Sequence, residues 1–133
     1  MRTIARESLF KLLFSSQFSS VSEELKRALF KADKLDENDV KYCNEVLCKI
    51  KENEQTINEV IDKNSLSFPQ SRIYPADKSI LYIAIAEILY FNDIPNRVSV
   101  NEAANIASKY SSEKSASFIS GILSSVIEEN DNV

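Results

Sequence analysis

Side chains able to move a proton, hold a metal or attack a carbonyl are sparse in this sequence, and their spacing suits none of those tasks. There is no histidine, which removes the most common general base and the commonest zinc ligand. Cys43 and Cys48 are the only cysteines. Their separation matches neither a C-x-x-C pair nor a metal knuckle. On a helix, residues five apart point in different directions, so both are expected reduced and at least partly buried, as free cysteines usually are. No lysine or carboxylate pair stands out as catalytic. The sequence therefore calls for no catalytic residue, no metal and no cofactor.

What remains is chemistry of charge and surface. The net charge is −4, which is not the mark of a generic nucleic-acid binder. Its distribution is uneven, however. Residues 1–34 hold seven Lys/Arg (Arg2, Arg6, Lys11, Lys26, Arg27, Lys31, Lys34) against four acids, giving +3, so the remainder carries −7. Any phosphate-binding face is expected near the N-terminus.

The elements that must position these groups read as helices. One glycine and three prolines leave too few turn residues for a sandwich or barrel. Ile4, Leu9, Leu12, Leu13 and Phe14 recur at helical spacing from about Thr3 to Phe18, with Arg2, Arg6 and Lys11 outside that apolar set. Ser20-Val21-Ser22-Glu23 has the form of a capping box, opening a short helix to about Ala32 with Leu25, Ala28 and Leu29 inward. Asp36, Asn38 or Asp39 can cap the next helix. Its pattern runs through Val40, Cys43, Val46, Leu47 and Ile50 and resumes at Ile57, Val60 and Ile61, as one bent helix or two abutting ones. Asn64 to Ser71 is a loop.

Pro75 suits a first helical turn. Ile80 to Tyr90 is apolar on all sides, as in a buried central helix. Glu87 is the one charge in that run and must be paired, hydrogen-bonded, protonated or at the surface; a satisfied structural carboxylate is the favoured reading. Asn92 to Pro95 is a turn, and Ser99-Val100-Asn101-Glu102 has the form of a second capping box. Ser111 or Ser112 can cap a last helix carrying Phe118, Ile119, Ile122, Leu123, Val126 and Ile127. Gly121 lies inside it, where the usual compensation is close approach of another backbone. From Glu128 the acidic tail is expected to fray. No apolar run reaches the roughly twenty residues of a membrane span, and the N-terminus lacks a secretory pattern, so the expected location is the cytoplasm.

Three segments, in order, resemble the NusB family. They are Ala5-Arg6-Glu7 through Leu13-Phe14; Ile80 to Glu87 with Asp93-Ile94-Pro95 and Val100-Asn101-Glu102-Ala103-Ala104; and Phe118-Ile119-Ser120-Gly121-Ile122-Leu123. From about Phe18 to Ile73 the match is only a helical pattern. The resemblance implies an all-α, compact bundle of about seven helices in two packed halves, 1–68 and 69–133. It implies binding of boxA-type leader RNA together with NusE, a small-subunit ribosomal protein that doubles as a transcription factor, within the RNA polymerase antitermination complex. Some members of the family also form homodimers.

Carried over residue by residue, the resemblance marks Arg2 and Arg6 as a thinned N-terminal basic cluster facing RNA, with a surface salt bridge as the alternative for Arg6. Phe14 stands where relatives often have Tyr, and either faces RNA or packs in the core. Phe118 matches an aromatic beside the RNA-facing surface, with the core as its alternative. Ser120 replaces a usual Asn, and Lys114 stands where an acid is often found. Asp77 and Tyr82 fall on the expected partner-binding side, although Asp77 near a helix N-terminus is also favourable by dipole alone. The scaffold motifs survive better than the RNA-facing ones. A protein-interaction module with RNA binding weakened or lost is therefore the competing reading.

Overall fold

The computed structural model describes residues 2–65 and 70–131. Among them are seven α-helices and a 3-10 turn, with no strand: α1 (Arg2–Ser16), α2 (Glu23–Ala32), α3 (Glu37–Glu52), α4 (Glu54–Asn64), the turn Gln70–Arg72, α5 (Pro75–Tyr90), α6 (Asn96–Tyr110) and α7 (Glu113–Asp131). The all-helical class agrees with the sequence pattern. The loop expected around Pro69 lies partly outside the described residues.

α5 is the axis of the fold. Pro75 occupies its first turn, and every residue from Ser79 to Ile88 is buried. A helix apolar all round needs neighbours on every side, and α5 has them in α1, α3, α4, α6 and α7. One continuous core results, with Leu9, Val46, Ile57, Leu81, Ile85, Ile119 and Leu123 fully enclosed. Side-chain caps fix the starts of α2, α3 and α7. Asp36 accepts from the Asp39 N–H at 2.8 Å, and Ser112 accepts from the Ser115 N–H at 3.0 Å. α3 and α4 are two helices meeting at Asn53, whose amide donates back to the Lys49 carbonyl at 2.9 Å.

Several local expectations are corrected. The cap of α2 is Ser22, which accepts from the Leu25 N–H at 3.1 Å, not Ser20. Leu25 is 53% exposed and Phe30 supplies the buried anchor instead, because α2 packs chiefly on α1. α6 begins at Asn96 behind Pro95, so Ser99 is an interior helix residue rather than a cap. The acidic end of α7 stays helical to Asp131, with Glu129 accepting from Lys63 at 2.9 Å and Asn64 at 3.2 Å. Cys43 is buried, and burial chiefly pushes its thiol up to about 12, whereas Cys48 is exposed.

Gly121 is the most informative correction. No other element approaches it, and a Cβ added there meets nothing within 4 Å. A glycine inside an exposed helix face costs about 1 kcal/mol relative to alanine. Gly121→Ala is therefore expected to stabilise the isolated protein by that amount, raising Tm by about 3–5 °C for a chain of this size. A thermal melt of the two proteins checks it; an unchanged or lowered Tm would mean that the backbone here is under a constraint that the packing does not reveal.

Candidate nucleic-acid interface

The residues singled out by sequence do not converge on one patch. Arg6 is the clearest departure. It is only 4% exposed, and its guanidinium grips Glu87 with two hydrogen bonds, Nε to Oε2 at 2.8 Å and Nη2 to Oε1 at 3.1 Å. Nη1 reaches Glu102 Oε1 at 3.1 Å, which also accepts from the Thr3 hydroxyl at 2.6 Å. Glu87, fully buried, further accepts from the Ser99 hydroxyl at 2.7 Å and from the Tyr42 phenol. Burial, and then the Glu87 charge, push the Tyr42 phenol far above its ordinary range, so it serves only as a donor. Helices α1, α3, α5 and α6 thus meet on one carboxylate. Glu87 is the satisfied structural carboxylate expected, and Arg6, expected at the surface, is its counter-ion.

Arg2 stays exposed, but at the far end of α1. Its guanidinium lies 4.2 Å from the centroid of the Tyr42 ring, beside a hollow shared with Phe91 and Asp93. Twelve residues of helix, about 18 Å, separate it from Phe14.

Phe14, whose alternatives are the RNA face and the core, is 37% exposed. It belongs to a row of rings that sequence reasoning missed. Phe10 and Phe14 stack at 6.0 Å, Phe14 and Phe18 meet edge-on at 5.2 Å, and Phe10 contacts Tyr110 at 5.1 Å. The signal was the i, i+4, i+8 spacing of three phenylalanines, which places them on one face of a helix. Tyr110 donates to Glu7 Oε1 at 2.7 Å, and Lys109 reaches the same oxygen at 2.7 Å. Partial burial alone would raise the Glu7 carboxyl, but these two hydrogen bonds outweigh it and hold the group below its ordinary range.

On α7, Lys114 is exposed in the first turn and Phe118 is half-buried one turn on. With Ser117 and Gly121 they follow helical spacing along one outward strip. Ser120, half-buried, lies about 200° around the helix from Phe118. The tight α6–α7 corner brings Tyr110 within four residues of Lys114.

Asp77 and Tyr82 are also more internal than expected. Asp77 is 3% exposed and accepts from the hydroxyls of Ser111 at 3.1 Å and Ser115 at 2.9 Å. It ties the start of α5 to the α6–α7 corner. The Tyr82 hydroxyl donates to Asn58 at 2.6 Å, while its ring, beside the Lys78 ammonium at 5.6 Å, lines a groove of about 400 Å³ with Leu13, Gln17, Leu47 and Ile50. No cluster of His, Cys, Asp or Glu among the described residues could hold a metal. No helix among them is long and apolar enough to cross a membrane.

The described residues form an all-helical frame knotted on the buried Arg6–Glu87 ion pair, with aromatic and basic groups turned outward on α1, at the α6–α7 corner and on α7. The NusB family profile matches residues 3–128, and the chain belongs to the NusB family. Transcription antitermination protein NusB of Natranaerobius thermophilus is 39% identical over 133 residues, covering 96% of this chain and 95% of that protein. The protein of the same description from Clostridium novyi is 36% identical over 130 residues, covering 96% and 98%. Among solved structures, NusB of T. maritima superposes with a TM-score of 0.88 at 28% identity, covering 97% of this chain and 92% of that one. A crystal structure of antitermination factors NusB and NusE in complex with dsRNA gives a TM-score of 0.85 at 18% identity, covering 96% of each chain, which speaks for the fold.

Proposed function

We propose that this chain is an RNA-binding transcription antitermination factor that works in the cytoplasm. It binds boxA-type leader RNA together with NusE and serves the antitermination complex of RNA polymerase. The observation that carries the reading is the outward strip of Lys114, Phe118 and open Gly121 on α7, together with the exposed Phe14 ring on α1, set in a family whose relatives are antitermination proteins. Single-stranded RNA is read by stacking on aromatic rings and by hydrogen bonds to base edges, after phosphates have been attracted by cations. Lys114 supplies the cation and Phe14 and Phe118 the rings, whereas Ser120, about 200° around α7 from Phe118, lies off this strip. Arg2, distant along α1, extends the reach toward flanking phosphates. The groove lined by Tyr82 and Lys78 is the proposed seat of NusE.

The reading is tested by a salt titration of binding to a boxA-containing RNA and a scrambled control, with and without NusE. Sequence-preferring binding that strengthens with NusE is the expected result. In that assay Lys114→Asp should weaken binding several-fold at low salt. It should also lower the slope of log K against log salt by about 0.7, one single-strand phosphate contact.

A second reading, in which the fold is kept for protein contacts, is favoured by the interior position of Arg6, which removes half of the N-terminal arginine pair from the surface. Absence of RNA binding at low salt, even with NusE, would establish it.

A further inference from the structure

The far end of α5 carries a surface that neither the RNA reading nor the NusE groove uses. Tyr90 ends the helix, Phe91 follows it, and both are half-buried. With Glu45 and Lys49 of α3 and Asp93 of the next turn they line a hollow of about 490 Å³. Thirteen residues of helix, about 20 Å, separate Tyr90 from Asp77 and the α6–α7 corner. A second hollow lies against the first and shares Glu45, Phe91 and Asp93 with it. In that second hollow the surface already holds a guanidinium. Arg2 lies 4.2 Å from the centroid of the Tyr42 ring, with both carboxylates in the same lining. The first hollow repeats the arrangement with Tyr90 in the place of Tyr42, and its resident cation is a lysine. The Lys49 ammonium is 5.8 Å from the Tyr90 centroid.

We propose that the Tyr90 hollow is a docking point for an arginine side chain presented by a basic segment of a partner protein. The incoming guanidinium stacks on the Tyr90 ring and meets the carboxylates of Asp93 and Glu45. Charge decides the class of occupant. Residues 35–133 carry −7, so this part of the chain attracts basic partners. Asp93 is exposed and has no hydrogen bond or ion pair among the described residues. Glu45 pairs with Lys41 at 3.9 Å, an exposed contact of little strength. A phosphate would face both carboxylates, and an apolar segment would bury them unpaired. Arginine suits the site better than lysine, because its planar fork lies on a ring and offers two N–H groups to one carboxylate. Lys49 gives way to it. Its side chain is 44% exposed and its ammonium is 4.0 Å from Glu52, so it can swing to that carboxylate for the loss of one weak cation–π contact.

The test uses the isotope-labelled full chain and, as probe, a glycine–arginine–glycine tripeptide blocked at both ends. The lysine tripeptide and inorganic phosphate serve as comparisons. The arginine peptide is expected to shift the amide resonances of Glu45, Tyr90, Phe91 and Asp93, and to bind more tightly than the lysine peptide. Asp93→Asn should raise its Kd about 2- to 5-fold, the range for one exposed ion pair. Lys49→Ala should lower it, because the cation that competes for the ring is gone. Neither substitution removes a buried side chain, and unchanged resonances on α1 and α7 verify the fold. The opposite signs separate a site for cations from one for anions. If phosphate shifts these resonances and Lys49→Ala abolishes the response, the hollow takes anions and the proposal fails. It fails equally if the arginine peptide shifts nothing here, or if neither substitution changes its affinity. The RNA reading stands or falls separately, since it assigns nothing to this hollow.

Discussion

Arg6→Ala is expected to lower the unfolding free energy by about 3–5 kcal/mol, the usual result of removing one partner from a buried ion pair. The loss comes from what is left behind. Glu87 is fully buried and would keep Tyr42 and Ser99 as donors while losing the Arg6 cation that pairs with it. Glu102 would lose one bond and keep Thr3. Since domains of this size are stable by about 5–15 kcal/mol, the variant should unfold at a much lower urea concentration with an unchanged m-value. Arg6→Lys restores the charge but not the two-pronged grip on Glu87 and should recover only part of the stability. If instead Arg6→Ala keeps its midpoint and loses only RNA affinity, the guanidinium faces solvent and the interior assignment is wrong.

Asp77→Ala is expected to cost about 1.5–3 kcal/mol, the worth of hydrogen bonds to a charged group. The variant leaves the Ser111 and Ser115 hydroxyls without their carboxylate and removes a negative charge from the first turn of α5, where it is favourable. Ser111 and Ser115 still bond each other at 2.9 Å, which keeps the cost below that of the Arg6 change. The informative comparison is between stability and NusE affinity. A drop in thermal stability with NusE binding retained, measured well below the variant's melting point, identifies Asp77 as an internal clamp. Weakened NusE binding in a fully stable variant would return it to the partner surface.

These two residues also mark where sequence reading stops. Helix existence was legible because it depends on local spacing. The Ile80 to Tyr90 run, longer than a typical strand and carrying Ala84 and Ala86, read as a buried helix over the rival strand, and Pro75 marked its start. The Ile119, Ile122, Leu123, Val126 row at the helical period gave the inner face of α7. The position of Arg6 was not legible in the same way, because it is decided by a carboxylate 81 positions away. A clue existed. A lone acid in an apolar helix requires a cation, and Arg6, Leu9 and Leu13 fall at i, i+3 and i+7, which continues an inward stripe. The Ser99 capping box failed for a different reason. Pro95 had already started the helix, so Ser99 was free to turn its hydroxyl to Glu87. The outward face of Leu25 and the open space at Gly121 depend on what lies opposite them, which no local pattern records.

The end of α1 and the turn that follows it are shared property. Phe14 and Phe18 project from this stretch into the row of rings, while Leu13 and Gln17 project from it into the groove beside Tyr82. Gln17 also fastens that turn to α5, donating to the Pro75 carbonyl at 2.8 Å and to the Ser79 hydroxyl at 2.6 Å. Ligands on the two sides would therefore order the same few residues. The first to arrive bears that entropic cost, and the second finds the turn already set. Thermodynamic linkage then makes the assistance mutual: the factor by which a protein in the groove tightens RNA is the factor by which RNA tightens the protein.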